Sequence, residues 1–286
     1  MHMTKHGIVT TSDGTNIHYT DTGEGRAIVL IPGWLSEAAI WEPQIAGLST
    51  SYRVIAIDPR SQGDSDKPSF GHLPEARARD YKEVVDALEL NRPVMVGWSM
   101  ACGELMRYVE LFGDEELGGI VMVDGLLPPE ANPNVVPILA YFTNLLQRNR
   151  KQAIEEFLSV WYKTPQSETY LESVKRGTDK TPTDAAIALM HNMLVSNDFS
   201  GAFSRLSRPL LFAYQELLQQ GADYLKSQLG ERIQMERFDA AGHAVFVDNP
   251  VRFNAMIDEF VQRLPHVAVT EVGGGRGMTA RGRLAQ

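Results

Sequence analysis

The sequence predicts an α/β fold, a mostly parallel, doubly wound sheet carrying a helical cap insertion, and three observations predict it. Short apolar runs closed by turn residues alternate with amphipathic stretches through residues 1–125 and again through 207–264. Strands that read as continuous apolar runs are buried on both faces, which implies parallel strands covered by helices on each side. Between 126 and 206 helical spacing continues without a good strand, so these residues read as the insertion. The third observation is local. Ser99 stands in Gly97-Trp98-Ser99-Met100-Ala101, directly after the apolar run Val94-Met95-Val96.

The elements follow in order. Residues 7–11 and 16–20 flank Ser12-Asp13-Gly14-Thr15, a hairpin signal. Residues 27–31 form an apolar strand ending at Pro32-Gly33, 38–48 a helix, and 53–57 a buried strand ending at Asp58-Pro59. A helix over 76–88 leads to the strand at 94–96. From Ala101 to Phe112, Leu105, Tyr108, Val109 and Phe112 share one face, and Gly113 stands where a C-terminal cap belongs. Residues 119–123 are the next strand, ending at Asp124-Gly125. The insertion holds helical stretches at 136–146, 151–162 and 183–195, the second with Ile154, Phe157, Leu158 and Trp161 at helical spacing. Strands at 209–214 and 233–238 and a helix at 251–264 complete the core. The tail, 265–286, contains Gly273-Gly274-Gly275 and little apolar content, and it is expected to be mobile.

Composition narrows the function. With 286 residues, 43% of them hydrophobic, the chain can bury a full core. A net charge of −9 argues against nucleic-acid binding, which needs a basic face. No apolar run approaches the ~20 residues of a membrane span, and the first residues show no signal-peptide pattern. The single cysteine, Cys102, excludes an internal disulfide and fits packing in a reducing, cytoplasmic setting. No metal-ligand or phosphate-loop motif is present, so no metal or organic cofactor is expected. No obligate protein partner is inferred.

A serine on a sharp turn between strand and helix holds strained backbone angles, and its neighbours two before and two after must be small. Gly97 and Ala101 meet that condition, although the usual pattern G-x-S-x-G fails by one methyl group. Such a serine needs a base and donors for an oxyanion. His243, in Gly242-His243-Ala244 just after the last strand, is the best base of the seven histidines. Parallel strands bring their C-terminal ends, and hence Ser99 and His243, to one edge of the sheet.

With these pieces the chain resembles the α/β-hydrolase superfamily over residues 7–264. The matching segments are Ile31-Pro32-Gly33-Trp34, Asp58-Pro59-Arg60-Ser61-Gln62-Gly63-Asp64-Ser65, Gly97-Trp98-Ser99-Met100-Ala101, and Gly242-His243 followed by Asn249-Pro250. Two departures stand out: Pro32-Gly33 where the family has His-Gly, and Ser61 where it has Gly after Arg60. The resemblance implies an oxyanion hole from the backbone N–H groups of Trp34 and Met100. It also implies an acid that orients His243. Leu218 falls where most relatives have that aspartate, whereas some place the carboxylate after the strand that follows the nucleophile helix, where Asp124 stands. Asp124 is therefore preferred, with Glu216 and Asp223 as alternatives. From the insertion, Trp161, Phe142 and Met193 are expected to wall an apolar substrate pocket, Trp161 foremost.

The implied activity is a serine esterase acting on a small-molecule ester or lactone, and macrolide esterases are one subgroup the chain resembles. Two alternatives stay open. One is a cofactor-free quinolone-type dioxygenase on the same fold, with Asp124 and a cap tryptophan, mapped to Trp161. The other is a non-catalytic, hydrolase-like ligand receptor.

Overall fold

The computed structural model describes residues 2–125, 135–196 and 198–265. The first nine residues of the expected insertion and residues 266–286 of the expected mobile tail lie outside them. The eight strands are β1 (Lys5–Thr10), β2 (Asn16–Thr22), β3 (Ala27–Ile31), β4 (Arg53–Ile57), β5 (Val94–Trp98), β6 (Gly119–Val123), β7 (Leu210–Gln215) and β8 (Ile233–Phe238). They form one sheet in the order β1-β2-β4-β3-β5-β6-β7-β8. The pairs β1–β2 and β2–β4 are antiparallel and the rest are parallel. Every residue of β3, β5, β6 and β7 is buried. Each Ile, Val or Leu so buried contributes about 1.5–3 kcal/mol.

The helices are α1 (Glu42–Leu48), α2 (Pro74–Ala87), α3 (Met100–Phe112), α4 (Val135–Arg148), α5 (Arg150–Ser159), α6 (Glu168–Asp179), α7 (Thr183–Val195), α8 (Ser200–Arg205), α9 (Gln219–Leu229), α10 (Val245–Asp248) and α11 (Pro250–Gln262). In one layer α1 packs on α11, and in another α2 and α8 pack on α3. Helices α4 to α8 all lie between β6 and β7, and α7 packs on α4 and α2.

Three local differences from the sequence reading have physical causes. The helix expected over 38–48 is a 3-10 turn, Ala38–Trp41, followed by α1. Pro43 sits in the first turn of α1, where its missing N–H is tolerated. The helix expected over 151–162 stops at Ser159, because the Val160 and Trp161 carbonyls turn away to accept the His243 and Ala244 N–H groups. Helix α6, not read from the sequence, carries a short apolar stripe, Tyr170 and Val174, that packs against the core, and Ser167 caps it by accepting from the Tyr170 N–H.

Two buried ion pairs anchor α2, one to the loop after β4 and one to α3. Arg60 Nε donates to Asp80 of α2 at 2.6 Å, and Arg60 Nη2 reaches Asp13 of the β1–β2 turn at 2.9 Å. Arg77 Nε lies 3.0 Å from Glu104 of α3, with both side chains 1% exposed. Breaking such a pair leaves an uncompensated buried charge and costs about 3–5 kcal/mol.

A third contact is pH-dependent. His18 Nδ1 lies 2.8 Å from the buried Asp58 carboxylate. The hydrogen bond to Asp58 raises the His18 pKa above its ordinary value of 6.5, with Asp64 adding to the rise and burial and Lys180 opposing it. A raised histidine pKa stabilises the fold fully below the ordinary value, and that contribution is lost as pH rises through the raised one. The stability advantage of the wild type over His18→Gln, read from urea denaturation, is therefore expected to be larger at pH 5.5 than at pH 8.5. An advantage that grows with pH would contradict this contact.

Candidate active site

Strand β5 runs straight into α3, and Ser99 carries the whole change of direction with φ 58° and ψ −116°. Its N–H donates to the Val123 carbonyl of β6 at 2.9 Å, so the turn is tied to the neighbouring strand. A Cβ on Gly97 would lie 2.8 Å from Leu105 Cδ1 and 3.0 Å from the Ala101 carbonyl, so only glycine fits two residues before the serine. Ala101, the departure from the usual pattern, is fully buried within the helix. A Cβ on Gly33 would meet Ser99 Cβ at 2.8 Å, which shows how closely the loop after β3 approaches the serine.

His243 Nε2 lies 2.9 Å from Ser99 Oγ, and His243 Nδ1 lies 2.7 Å from Asp124 Oδ2. Asp124 follows β6, is 2% exposed and has φ 43°. Its carboxylate also accepts from the Gln215 N–H at 2.8 Å and from Gln215 Nε2 at 2.9 Å. Every short contact to this carboxylate comes from a donor, which is what an orienting acid requires. Glu216 is exposed and faces Arg237 at 3.4 Å, while Asp223 is exposed and accepts from Gln219. Neither meets His243. The position where most relatives carry the acid is apolar: Leu217 and Leu218 line the cavity above Ser99.

The backbone N–H groups of Trp34 and Met100 donate to no other group among the described residues. Met100 opens α3, so the helix dipole adds to its N–H. Trp34 lines the cavity and its Nε1 donates to the Ala186 carbonyl of α7 at 2.8 Å, which ties the loop to the helices above.

The cavity holds about 460 Å³ and is bounded by Trp34, Leu139, Phe142, Phe157, Met190 and Leu218 around Ser99 and His243. Phe142 is thus part of the wall. Trp161 and Met193 are not, and this corrects the sequence reading. Trp161 falls beyond the end of α5, and its indole packs edge-on against Trp98, 4.8 Å between centroids, and against Phe157. It is fully buried behind the wall. The Met193 sulfur turns toward Gly103 of α3, beside Phe199. A helical stripe shows which residues are buried and leaves open whether protein or cavity covers them. Phe157, in the same stripe, is the aromatic that faces the cavity.

Several residues with a part in the site escaped the sequence reading. Trp98 Nε1 donates to the His243 carbonyl at 3.0 Å, and its ring lies 5.1 Å from the imidazole. Tyr162 lines the cavity, and burial pushes its pKa far up, which keeps its hydroxyl protonated. Gln62 is fully buried, and its Nε2 donates to the Gly33 carbonyl at 2.8 Å and to the Ser36 carbonyl at 2.5 Å. Its Oε1 accepts from Arg77 Nη1 at 3.0 Å. Gln62 therefore holds the loop that carries the Trp34 N–H, and the buried Arg77–Glu104 pair holds Gln62. A glutamine inside a motif of turn residues was the available signal.

Loss of one oxyanion donor costs about 10²–10³ in kcat in measured cases, and a displaced donor costs less. Gln62→Ala is expected to lower kcat on an activated ester by about 10- to 100-fold with a smaller change in KM. A normal kcat in a folded variant would show that the loop holds its shape without Gln62.

Residues 28–256 match the profile of the Alpha/beta hydrolase family. A non-heme chloroperoxidase of Streptomyces lividans is 39% identical over 155 residues, covering 51% of this chain and 56% of that protein. The chain thus spans about half the length of the curated relatives with the strongest matches. A pimeloyl-[acyl-carrier protein] methyl ester esterase of Vibrio campbellii is 25% identical over 86% of this chain and 98% of its own. Among solved structures, a bromoperoxidase from Bacillus anthracis superposes with a TM-score of 0.82 at 20% identity, covering 90% of this chain and all of that one. With the profile spanning most of its length and the sheet order described above, the chain belongs to the α/β-hydrolase family.

Proposed function

We propose that the protein is a serine hydrolase that cleaves a carboxylic ester or lactone through an acyl-enzyme. The observation that carries this reading is the unbroken hydrogen-bonded line from Ser99 Oγ through His243 to Asp124, at 2.9 and 2.7 Å. Ser99 attacks the carbonyl carbon while His243 Nε2 takes its proton. Asp124 holds the imidazole in the tautomer that accepts at Nε2 and stabilises the imidazolium that forms. The oxyanion is received by the Met100 and Trp34 N–H groups, each worth about 3 kcal/mol in the transition state. His243 returns its proton to the leaving alcohol, then activates the water that frees the acid. A lactone follows the same course with its alcohol still tethered. The methyl ester esterase named among the relatives supports an ester as substrate.

The dioxygenase alternative mapped Trp161 as its cap tryptophan, and that indole is buried behind the wall of the cavity. A receptor would not need three groups aligned for proton transfer. A panel of p-nitrophenyl esters of increasing chain length, with macrocyclic lactones alongside, is the direct test of substrate.

Ser99→Ala is expected to abolish labelling by a fluorophosphonate and to lower kcat on an activated ester by ~10⁶. Retention of a tenth of wild-type turnover would refute the serine mechanism. Asp124→Asn is expected to lower kcat by ~10⁴, because the amide favours the wrong imidazole tautomer, while Glu216→Gln stays near wild type. The reverse ranking would move the acid to Glu216.

A further inference from the structure

We infer that the site takes an ester whose apolar acyl chain ends in a carboxylate, and that Lys163 at the cavity mouth binds that carboxylate. This rests on the hydrolase reading above and names its substrate class. Three observations carry it.

The cavity is apolar along most of its wall, and the charged side chains that line it among the described residues are Asp124, engaged with His243 and Gln215, His243 itself when protonated, and Lys163. Lys163 is exposed, and among the described residues no carboxylate lies within 4 Å of its ammonium. Lys82, Lys180 and Lys226 each face an acidic partner; Lys5, Lys67, Lys151 and Lys175 face none within 4 Å among the described residues, and Lys163 is set apart from these by its place on the cavity wall.

The backbone of Lys163 is held in register with the histidine loop. Its N–H donates to Asp248 at 2.8 Å, and the same carboxylate accepts from the Gly242 N–H at 2.7 Å. The His243 and Ala244 N–H groups donate to the Val160 and Trp161 carbonyls at 3.3 and 2.8 Å. The base of the lysine side chain is thus fixed relative to the reacting atoms, which is what a specificity contact needs.

The mouth beside Lys163 is apolar and open to solvent. Ile138, Val160 and Leu217 are 52%, 54% and 78% exposed, and all three line the same cavity. An apolar collar with one cation suits an aliphatic chain that ends in an anion. The net charge of −9 would repel such a substrate at long range, so its recognition has to be local.

In the reaction the acyl C–O bond breaks, water supplies OH to the acyl carbon and H to the departing alkoxide, and the products are the alcohol and a dicarboxylate. The test compares straight-chain dicarboxylic acid monomethyl esters with methyl esters of monocarboxylic acids of equal length. In the wild type, the ratio of kcat/KM for the carboxylate ester to that for the neutral ester is expected to peak at one chain length. An exposed ion pair is worth up to about fivefold. At the peak length Lys163→Gln is expected to lower the ratio by about that factor through KM, and Lys163→Glu by tenfold or more. Equal ratios in the wild type and both variants would overturn the inference while leaving the hydrolase reading standing. If neither ester set is hydrolysed and Ser99 takes no fluorophosphonate, the hydrolase reading fails. Calorimetry with suberate then decides the role of Lys163: binding weakened by Lys163→Gln supports it, and equal binding overturns it.

Discussion

The site depends on the backbone conformation of one residue. Ser99 holds φ 58° and ψ −116°, a region that costs a non-glycine residue about 1–3 kcal/mol and persists only where the surroundings impose it. The surroundings here are covalent and steric. Strand β5 is locked in the centre of the sheet between β3 and β6, helix α3 is packed under α2 and α8, and the chain has one residue in which to pass from one to the other. The same strain lifts the hydroxyl to the edge of the sheet and leaves the Met100 N–H free at the start of the helix. The raised Ser99 hydroxyl and the free Met100 N–H are thus two results of a single turn.

Around that turn, buried charge is used for alignment. The chain Glu104–Arg77–Gln62 runs from α3 through α2 to the carbonyls of Gly33 and Ser36. Leu35, in the middle of that loop, has φ 60°, so the loop too needs outside support. An apolar core of similar volume would fold as well or better, but it would not fix the direction of the Trp34 N–H. The loop after β3 and the nucleophile helix are therefore coupled through hydrogen bonds that never touch a substrate.

Much of this was legible in the sequence, and what was not has a common cause. The central strands β3, β5, β6 and β7 were readable because burial on both faces makes a nearly unbroken apolar run, whereas β8, at the sheet edge, alternates apolar and polar residues. Ser99 and His243 were readable because parallel strands deliver their C-terminal ends to one edge, and Asp124 was preferred over Glu216 and Asp223 through the family resemblance; the structure brings the three within hydrogen-bonding distance. Ser61 was noted as a departure from glycine, and it takes φ 67°, the conformation glycine adopts freely, with its hydroxyl 3.0 Å from His72 Nε2. The failures concern residues whose surroundings are set by distant chain. Trp161 and Phe157 share a stripe four residues apart, yet one lies under Trp98 and the other faces the cavity. Only the end of α5 at Ser159 and the contact with the histidine loop decide between them. Gln62 stood out only as a glutamine among turn residues and Gln215 gave no signal, since a glutamine becomes a strut only when its partners arrive from elsewhere in the chain.

The seam between residues 160–164 and the loop bearing His243 also limits how the molecule can move. Five main-chain N–H groups cross or brace it, from Lys163, Thr164, Gly242, His243 and Ala244. A swing of this part of the cap, hinged like a door, would tear the imidazole from its alignment with Ser99. Among the described residues, the opening framed by Ile138, Val160 and Leu217 lies beside this seam, so a ligand can reach the chamber without the seam parting.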